Sequence, residues 1–465
     1  MSSEQVVVRM YNVGFGDCFL LTLPTTAGPR RMLIDCGTHP ASTGPRQARR
    51  DAMKDLFNDL EREAGSLRID VVVATHRHKD HISAFADPKW AEVNVGEVWM
   101  PWTEDPEDQV ATEIRERMKL AVAGLLGARR GLNALSAVDD LPQVVGARLG
   151  VASNLIDNND EFVDDETADA FGLAIKNERS METLWSGFAG DARRRYLSAQ
   201  EQPLESPGLP GVRVHILGPS KDESVIRDLE PPPSETFAHV DPPTSLAEAA
   251  GLPFDEGWAK SREEFISQAD FGHLQVSGQI VGTIRQLAAD DILAAAASIE
   301  SSINGTSLML VIEVGGLFLF FPGDAQWGTW DMVLKDPQSR SLLQKAIFYK
   351  IGHHGSHNAT PRTFIREVMA VNALAAIPVA PVQVWPRIPL QDLVTEMTDR
   401  RQIRVIRSDD PNAGGADRQR DRSRRHQRRL CIRPARGRRC VVRRSTTGGD
   451  AAPPSRRSKE AGLVA

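Results

Sequence analysis

Short runs of apolar residues, most of them bounded by glycine or by polar turn residues, recur along the chain and predict β-strands. Near the N-terminus, three such runs cover residues 5–11, 18–23 and 31–35. Runs of this length separated by turns are typical of a strand meander. In residues 51–65 the apolar positions have helical spacing and end at Gly65, which predicts a helix with a glycine cap.

A second group of strands is predicted in the C-terminal half. The apolar runs 307–314 and 317–321 are joined by Gly315 and Gly316, which is a strong signal for a β-hairpin. Strands interspersed with helices in both halves predict an α/β protein. The same patterns predict further strands at 212–217, 347–351, 373–379 and 403–407, and a helix at 330–345.

The strand pattern is interrupted between residues 102 and 205. Residues 110–126 have the spacing of an amphipathic helix. Residues 157–166 are acidic, but they lack the regular ligand spacing and the central glycine of a calcium-binding loop. We interpret 102–205 as a mainly helical insertion that walls the active site.

The composition changes after residue 410, where Arg, Gly, Ser and Pro dominate and the periodicity ends. Such a segment cannot bury a core, so we expect 411–465 to be a disordered tail behind a domain of residues 1–410. The tail contains sixteen Lys and Arg residues and four Asp and Glu residues, a net charge of +12. Because the whole chain carries −6, the remainder carries −18.

This basic tail has two interpretations. Its arginines would bind nucleic acid by contacting phosphates. Alternatively, it is a solvated tail without a role, or a C-terminus altered by a shifted reading frame. The absence of aromatic residues that stack on bases favours the second interpretation.

The chain has no feature that predicts a membrane or secreted location. No apolar run approaches the roughly 18 residues of a membrane span, and residues 1–5 lack the features of a signal peptide. The four cysteines, Cys18, Cys36, Cys431 and Cys440, form no CxxC pair and imply no disulfide framework. We therefore expect a cytoplasmic protein with no membrane partner.

Four candidate metal ligands follow the predicted strand 70–74 within a few residues. His76 and His78 are two positions apart in an extended segment, so their side chains point to the same side. Asp80 and His81 come where a helix is expected to begin, so they can face the other way. One loop of this kind can supply two ligand pairs to two adjacent cations.

The pattern His76-x-His78-x-Asp80-His81 after an apolar strand resembles the signature of the metallo-β-lactamase fold superfamily. Other stretches resemble one branch of it, the hydrolase domain of DNA-uptake competence proteins and its free-standing relatives. The resemblance implies an αββα sandwich. The stretches that carry it are 12–18, 33–37, 321–325 and 352–356, in that order along the chain.

The resemblance implies a site for two divalent metal ions, with Zn²⁺ expected and Mn²⁺ as the alternative that an open site would suit. It also implies that Asp80 and His353 are the catalytic residues. The implied ligands are His76 and His78 for the first ion, Asp80, His81 and His354 for the second, and Asp324 as the bridge.

Other residues near the ligand motifs have expected supporting roles. His353 would hydrogen-bond to the leaving group or protonate it, although the residues alone would allow His353 and His354 to exchange roles. Asp35 resembles the carboxylate that orients a ligand histidine through its outer ring nitrogen. Lys350 and Ser356 flank the last motif, where a phosphate contact and a purely structural role fit equally well.

Many members of the superfamily hold the first metal ion with a further histidine, located between the first motif and the bridging carboxylate. The histidines in that interval, His215, His239 and His273, lack the expected strand-end context. His215 lies inside a predicted strand, as a core histidine would. The first ion would therefore keep positions open to substrate oxygens, which favours a phosphodiester over a β-lactam.

We therefore predict a dinuclear metal-dependent hydrolase in which a metal-bound hydroxide attacks a phosphodiester. The expected partner is a small-molecule or nucleotide-type phosphodiester, and nucleic acid is a further candidate. One alternative is an ester, lactone or amide hydrolase that uses the same metals. The other is a non-catalytic interaction module stabilised by them.

Overall fold

The computed structural model describes residues 5–39, 42, 45–118, 178–237, 302–358, 360–382 and 387–409, together with the backbone of 427–433 and 441–443. These residues form a mixed α/β protein with two mixed β-sheets and helices. The acidic stretch 157–166 lies outside the described residues, as do His239 and His273. The predicted helix at 110–126 is described only as far as residue 118 and is helical from residue 109.

Among the described residues, eight strands form the first sheet in the order β15-β14-β1-β2-β3-β4-β5-β6. The strands from β3 to β6 run parallel, and the other neighbouring strands pair antiparallel. Their bounds are β1 Val6–Tyr11, β2 Cys18–Thr25, β3 Gly28–Cys36, β4 Arg68–Val73, β5 Asn94–Pro101, β6 Arg193–Leu197, β14 Gln427–Arg433 and β15 Val441–Arg443.

The second sheet contains seven strands of the described chain in the order β13-β12-β11-β10-β9-β8-β7. The strands from β10 to β13 are parallel, and those from β7 to β10 are antiparallel. The bounds are β7 Leu204–Glu205, β8 Arg213–Gly218, β9 Met309–Val314, β10 Leu317–Phe321, β11 Ala346–Lys350, β12 Leu374–Ile377 and β13 Arg404–Arg407. The glycine-linked hairpin is confirmed as β9 and β10.

Helices precede or follow the strands in both halves. Besides the helical residues 109–118 and 302–304, the α-helices of the described residues are α1 Pro45–Ala64, α2 Lys79–Ile82, α3 Glu178–Glu182, α4 Glu223–Ile226, α5 Trp327–Lys335, α6 Pro337–Gln344 and α7 Gln391–Thr395. Short 3₁₀ segments lie at Ser83–Ala86, Pro88–Glu92, Trp102–Glu104 and Gly352–Gly355, and π segments at Thr183–Gly187, Phe364–Val368 and Glu396–Arg400. Within the described part of the chain, no helix is both long enough and apolar enough to span a membrane.

The two sheets share one apolar cluster, and each sheet packs its other face against helices. In β4, Val71 and Val73 join the cluster between the sheets, whereas Val72 joins the cluster that contains α1. Successive side chains of a strand point to opposite faces, so a strand that is covered on both faces needs a continuous apolar run. This burial explains why the strand before the histidine motif consists of valines.

The predicted helix at 330–345 is wrong in its bounds, because the chain forms two helices there. Asp336 separates α5 from α6 and accepts a hydrogen bond from the main-chain N–H of Ser339 at 2.8 Å. Pro337 occupies the first turn of α6, where its missing N–H breaks no helical hydrogen bond. An N-cap and a proline thus end one helix and begin another.

The predicted insertion at 102–205 also needs correction, because its last part belongs to the sheets. Strand β6 pairs in parallel with β5, and β7 begins the second sheet. The three arginines that open β6 hid this strand from the apolar pattern. Arg195 is accommodated because its Nε donates to Glu97 Oε2 of β5 at 2.7 Å.

The expected disorder of 411–465 is wrong for two segments. Residues 427–433 form β14, which pairs antiparallel with all six residues of β1, and 441–443 form β15 beside it. An edge strand exposes unpaired main-chain N–H and C=O groups, and another strand can satisfy them whatever its side chains. Composition therefore could not reveal this pairing.

Candidate metal centre

The histidine motif and the later carboxylate and histidine motifs meet where strands of the two sheets end. His76 to His81 follow β4, Asp324 follows β10, and His354 follows β11. The sheets are joined at this point because the main-chain N–H of Leu308 donates to the carbonyl of Thr75 at 2.9 Å. Residues distant in the sequence are thus brought to one buried position.

Close main-chain packing fixes the position of α2, which carries Asp80 and His81. The N–H of Asp17 donates to the carbonyl of Asp80 at 2.8 Å. A Cβ atom on Gly37 would lie 2.3 Å from the carbonyl oxygen of Lys79, so only glycine fits there. The motif segments 12–18 and 33–37 therefore form the support on which α2 rests.

His81 lies between two carboxylates. Its Nδ1 is 2.8 Å from Asp35 Oδ2, and its Nε2 is 3.1 Å from Asp324 Oδ2. Asp35 has a φ of 55° and is held by the N–H and the hydroxyl of Thr75, each at 2.7 Å. The expected contact between Asp35 and a histidine of the motif is present in the structure.

His354 has a similar arrangement on the other side of the cluster. Its Nδ1 is 2.6 Å from the carbonyl oxygen of Pro378, and its Nε2 is 3.0 Å from Asp80 Oδ2. A carbonyl oxygen can only accept, so Nδ1 carries a proton and Nε2 faces Asp80. Asp80, His81, Asp324 and His354 form one buried group whose ligand atoms lie within 4.8 Å of one another.

His76 and His78 form a neighbouring pair. His76 Nε2 lies 3.0 Å from His78 Nδ1, and both side chains are buried. Arg77 between them points away, and its Nε donates to Glu104 Oε1 at 2.9 Å. The alternation of an extended segment thus orients both imidazoles to one side, as the spacing predicted.

A buried lysine holds the carboxylate of Asp324. Lys350 Nζ is 2.9 Å from Asp324 Oδ1 and 2.6 Å from Asp17 Oδ2, and the side chain of Lys350 is 2% exposed. Burial by itself lowers the pKa of Lys350, but Asp17 and Asp324 outweigh burial and raise it above its ordinary value. Lys350 therefore has a structural contact with Asp324 rather than an exposed position at the end of β11.

The histidines of the centre differ in their affinity for protons. Burial lowers the pKa of His78 to about 3 and also lowers that of His76. For His81, burial acts in the same direction, but Asp324, Asp17 and Asp35 outweigh it and raise the pKa. The pKa of His354 is also raised, because its hydrogen bond to Asp80 and nearby carboxylates outweigh burial.

The donor set fits divalent cations. Both ring nitrogens of His81 face carboxylate oxygens, and no neutral tautomer can donate to both. Either a second proton or a cation between Nε2 and Asp324 is required. Buried Asp80 Oδ1 has no hydrogen-bond partner among the described residues, and the buried carboxylates of Asp17, Asp35, Asp80 and Asp324 outnumber the buried ammonium of Lys350.

His353 lies beside this cluster and outside the group of closely spaced ligand atoms. Its main-chain N–H donates to Asp324 Oδ1 at 2.8 Å, and its side chain is partly exposed. His353 and His354 have φ values of 41° and 51°, a left-handed conformation that is strained for histidine. The two adjacent side chains diverge, so only His354 enters the buried ligand group.

Ser356 and His215, which the sequence also singled out, each contact a neighbouring side chain. Ser356 contacts His353, because its Oγ lies 2.8 Å from Nδ1. His215 is not a core histidine, since it lies partly exposed on β8 with Nε2 3.0 Å from Glu313 Oε2.

Several polar residues support the centre although the sequence did not assign them to it. Ser307 accepts the N–H of Asp324 at 3.1 Å, Asp17 holds Lys350, and Gln326 bonds Asn358 at 2.8 Å. Asp17 belongs to the motif 12–18, so its place in the sequence already indicated a role near the centre. Gln326 and Asn358 lie outside every quoted motif, and nothing in their local sequence distinguishes them.

Comparison with known proteins adds no assignment. The chain matches no protein-family model, and no protein of curated function matches it. Its function is therefore inferred from the motifs and from the geometry of the centre.

Proposed function

We propose that this protein is a dinuclear metal-dependent hydrolase with a metallo-β-lactamase-like αββα sandwich. The sheets share one apolar cluster and each packs helices on its other face, which supports the four-layer arrangement. The observation that carries the proposal is His81, whose two ring nitrogens face Asp35 and Asp324. This arrangement is typical of a metal ligand oriented through its outer nitrogen.

The ligand atoms divide into two sets. His76 Nε2 and His78 Nδ1 would hold one divalent cation, and His81 Nε2, His354 Nε2 and an oxygen of Asp80 would hold the other. Asp324 Oδ2 would bridge them, because Lys350 and His353 N–H already contact Oδ1. Two cations held this way supply an activated water as nucleophile and neutralise the charge that develops on the reacting group.

A phosphodiester is the substrate class that we propose. Of the three histidines between the first motif and Asp324, His215 lies among the described residues, and it pairs with Glu313 instead of joining His76 and His78. The open positions suit the charged oxygens of a phosphoryl group. We propose that His353, which is partly exposed beside Asp324, protonates the leaving oxygen.

The test is turnover by protein loaded with Zn²⁺ or with Mn²⁺. We expect hydrolysis of bis(p-nitrophenyl) phosphate, with little or no hydrolysis of lactones and thioesters. The opposite preference would replace the phosphodiesterase with the ester or lactone hydrolase. Stoichiometric metal without turnover of any substrate would favour a non-catalytic interaction module.

The roles of the adjacent histidines can be separated by metal content. His354→Ala should lose the second cation, because a buried ligand nitrogen is removed. His353→Ala should keep both cations and reduce turnover of an aryl phosphodiester with phenol as leaving group by about 10²- to 10⁴-fold, the usual effect of a lost general acid. Loss of metal only in His353→Ala, measured by elemental analysis, would exchange the two assignments.

A further inference from the structure

A chain of side-chain hydrogen bonds connects His353 to the segment that carries Asp324. Gln326 Nε2 donates to the carbonyl of Asp324 at 3.3 Å, and Asn358 Nδ2 donates to Gln326 Oε1 at 2.8 Å. Asn358 Oδ1 lies 3.1 Å from His353 Nδ1 and 2.7 Å from Ser356 Oγ. Gln326, Asn358 and Ser356 are all buried, so water does not compete for these bonds.

The carbonyl oxygen of Asp324, at one end of this series of hydrogen bonds, sets the direction of every bond in it. The carbonyl of Asp324 can only accept, so Gln326 must present its NH₂ group to it and its oxygen to Asn358. That oxygen also only accepts, so Asn358 presents its own NH₂ group to Gln326. Asn358 Oδ1 therefore faces His353 and Ser356. Because this oxygen can only accept, its hydrogen bond with His353 requires a proton on Nδ1 of that ring.

Ser356 supports the same protonation state. Its hydroxyl donates to Asn358 Oδ1, which leaves its lone pairs for the Nδ1–H of His353 at 2.8 Å. The other tautomer would bring the lone pair of Nδ1 to 3.1 Å from Asn358 Oδ1, an arrangement of two acceptors. Nε2 of His353 makes no hydrogen bond to the described residues, so the lone pair of the neutral ring is presented to solvent or substrate.

We propose that Asn358, oriented by Gln326, is a positioning residue that holds His353 in the Nδ1–H tautomer and keeps Nε2 for proton transfer to the leaving group. This inference rests on the proposed phosphodiester hydrolysis for its chemical meaning. The tautomer itself follows from the hydrogen bonds and is measurable without a substrate.

In the proposed reaction, proton transfer from His353 accompanies the exchange of one bond at phosphorus for another. An oxygen–phosphorus bond forms from water, and the bond from phosphorus to the leaving oxygen breaks with its electron pair on that oxygen. Nε2 of His353 first takes up a proton from solvent, and that proton then moves to the leaving oxygen. The proton lost by the attacking water passes to solvent. After the transfer, the ring is neutral with its proton on Nδ1, which is the form that Asn358 and Ser356 stabilise.

The tautomer is tested by ¹⁵N–¹H correlation spectra of the full chain labelled at histidine. The His353 signals are assigned by their loss in His353→Gln. We expect Nδ1–H in the wild-type protein and a change to Nε2–H in Asn358→Leu, while Asn358→Asp, which keeps an acceptor oxygen, retains Nδ1–H. Nε2–H in the wild type, or no change in Asn358→Leu, would overturn the proposal.

The role in proton transfer is tested with aryl methyl phosphates whose leaving phenols differ in acidity. In metal-loaded Asn358→Leu we expect the rate of hydrolysis to fall by about 10²-fold or more with phenol as leaving group. With p-nitrophenol, which leaves without a proton, the rate should fall by less than about tenfold. A loss equal for all leaving groups would reduce Asn358 to a structural role and overturn the proposal.

Two further variants show whether Asn358 acts through His353. The double variant His353→Gln with Asn358→Leu should be no slower than His353→Gln alone, because non-additivity identifies residues that act together. His357→Gln is the matched control, since His357 is exposed between Ser356 and Asn358 and outside the chain of bonds. If the wild type hydrolyses no aryl phosphate, the proposed function fails, and the spectra still decide the tautomer.

Discussion

Asp324 is the residue with the largest number of roles in the proposed metal centre. Its Oδ1 accepts from Lys350 and from the N–H of His353, and its Oδ2 faces His81 Nε2. Burial raises the pKa of this carboxyl, but Lys350 and His81 outweigh burial and lower it well below its ordinary value. The side chain is therefore an anion that contacts the ammonium of Lys350 on one side and the Nε2 atom of His81 on the other.

We predict that Asp324→Asn loses more than one of the two cations. The amide keeps the shape of the side chain, but it lacks the charge that a bridging ligand supplies. Elemental analysis of the purified protein gives the metal content. Asp331→Asn, which removes a carboxylate from α5 outside the centre, is the control and should keep both ions. Full metal content in Asp324→Asn would contradict the bridging role.

Metal uptake should release protons. In the metal-free protein, the carboxylates around His81 and His354 raise the pKa of both rings, so protons compete with a metal ion, which can bind only the deprotonated nitrogens. The apparent affinity should therefore rise with pH, by about tenfold per pH unit for each proton displaced, until the pH exceeds the raised pKa values.

This release is measured by titration calorimetry in two buffers with different ionisation enthalpies. We expect ion binding at the site of His81 and His354 to release protons from these rings, so the apparent binding enthalpy should differ between the two buffers. His354→Ala should release fewer protons. A binding enthalpy that is the same in both buffers, together with an affinity that does not change with pH, would show that the rings hold no displaceable proton.

At the scale of elements, β14 completes the first sheet on the side of β1. All six residues of β1 have a partner in β14, and β2 pairs with the other edge. Without β14, the N–H and C=O groups along one side of β1 would lose their partners. Unpaired edge strands of this kind associate with other chains.

We predict that a chain ending at residue 410 is less stable than a chain ending at residue 443. Net contributions of about 0.5–1.5 kcal/mol per hydrogen bond suggest a loss of several kcal/mol in the free energy of unfolding. Urea unfolding measures this loss, and size-exclusion chromatography detects association through β1. Equal stability of the two chains would mean that β14 adds nothing to the sheet.

At the scale of the whole molecule, positive and negative charge are segregated along the chain. Residues 411–465 carry +12 and the remainder −18. An anionic body repels an extended polyanion, whereas a small phosphodiester would need only the local charge of the two cations. Any affinity for nucleic acid should therefore depend on the arginines of the C-terminal segment.

We predict that replacing the five arginines between 418 and 425 by serine weakens salt-sensitive DNA binding and leaves turnover of a small diester unchanged. These substitutions lie outside β14, so they change the charge of the segment without removing the strand that pairs with β1. The dependence of binding on salt concentration should become weaker, since fewer counterions are released. A parallel loss of small-substrate turnover in folded protein would make this segment part of the catalytic domain.

The sequence by itself determined the features that depend on neighbouring residues. The strands β1 to β4, the β9–β10 hairpin and the cap at Gly65 follow from periodicity and turn chemistry over a few positions. The orientation of His76 and His78 follows from an extended backbone, in which alternate side chains share a side. These expectations are confirmed because the interactions that decide them are local.

The tertiary structure decided what distant residues do to one another. His81 meets Asp324 across 243 positions, and His354 meets Asp80 across 274, so no local pattern distinguishes His354 from His353. The role of Lys350 depends on two carboxylates brought to it from β-strand ends. The pairing of β14 with β1 uses main-chain groups, which are the same in every sequence, so only the folded backbone reveals it.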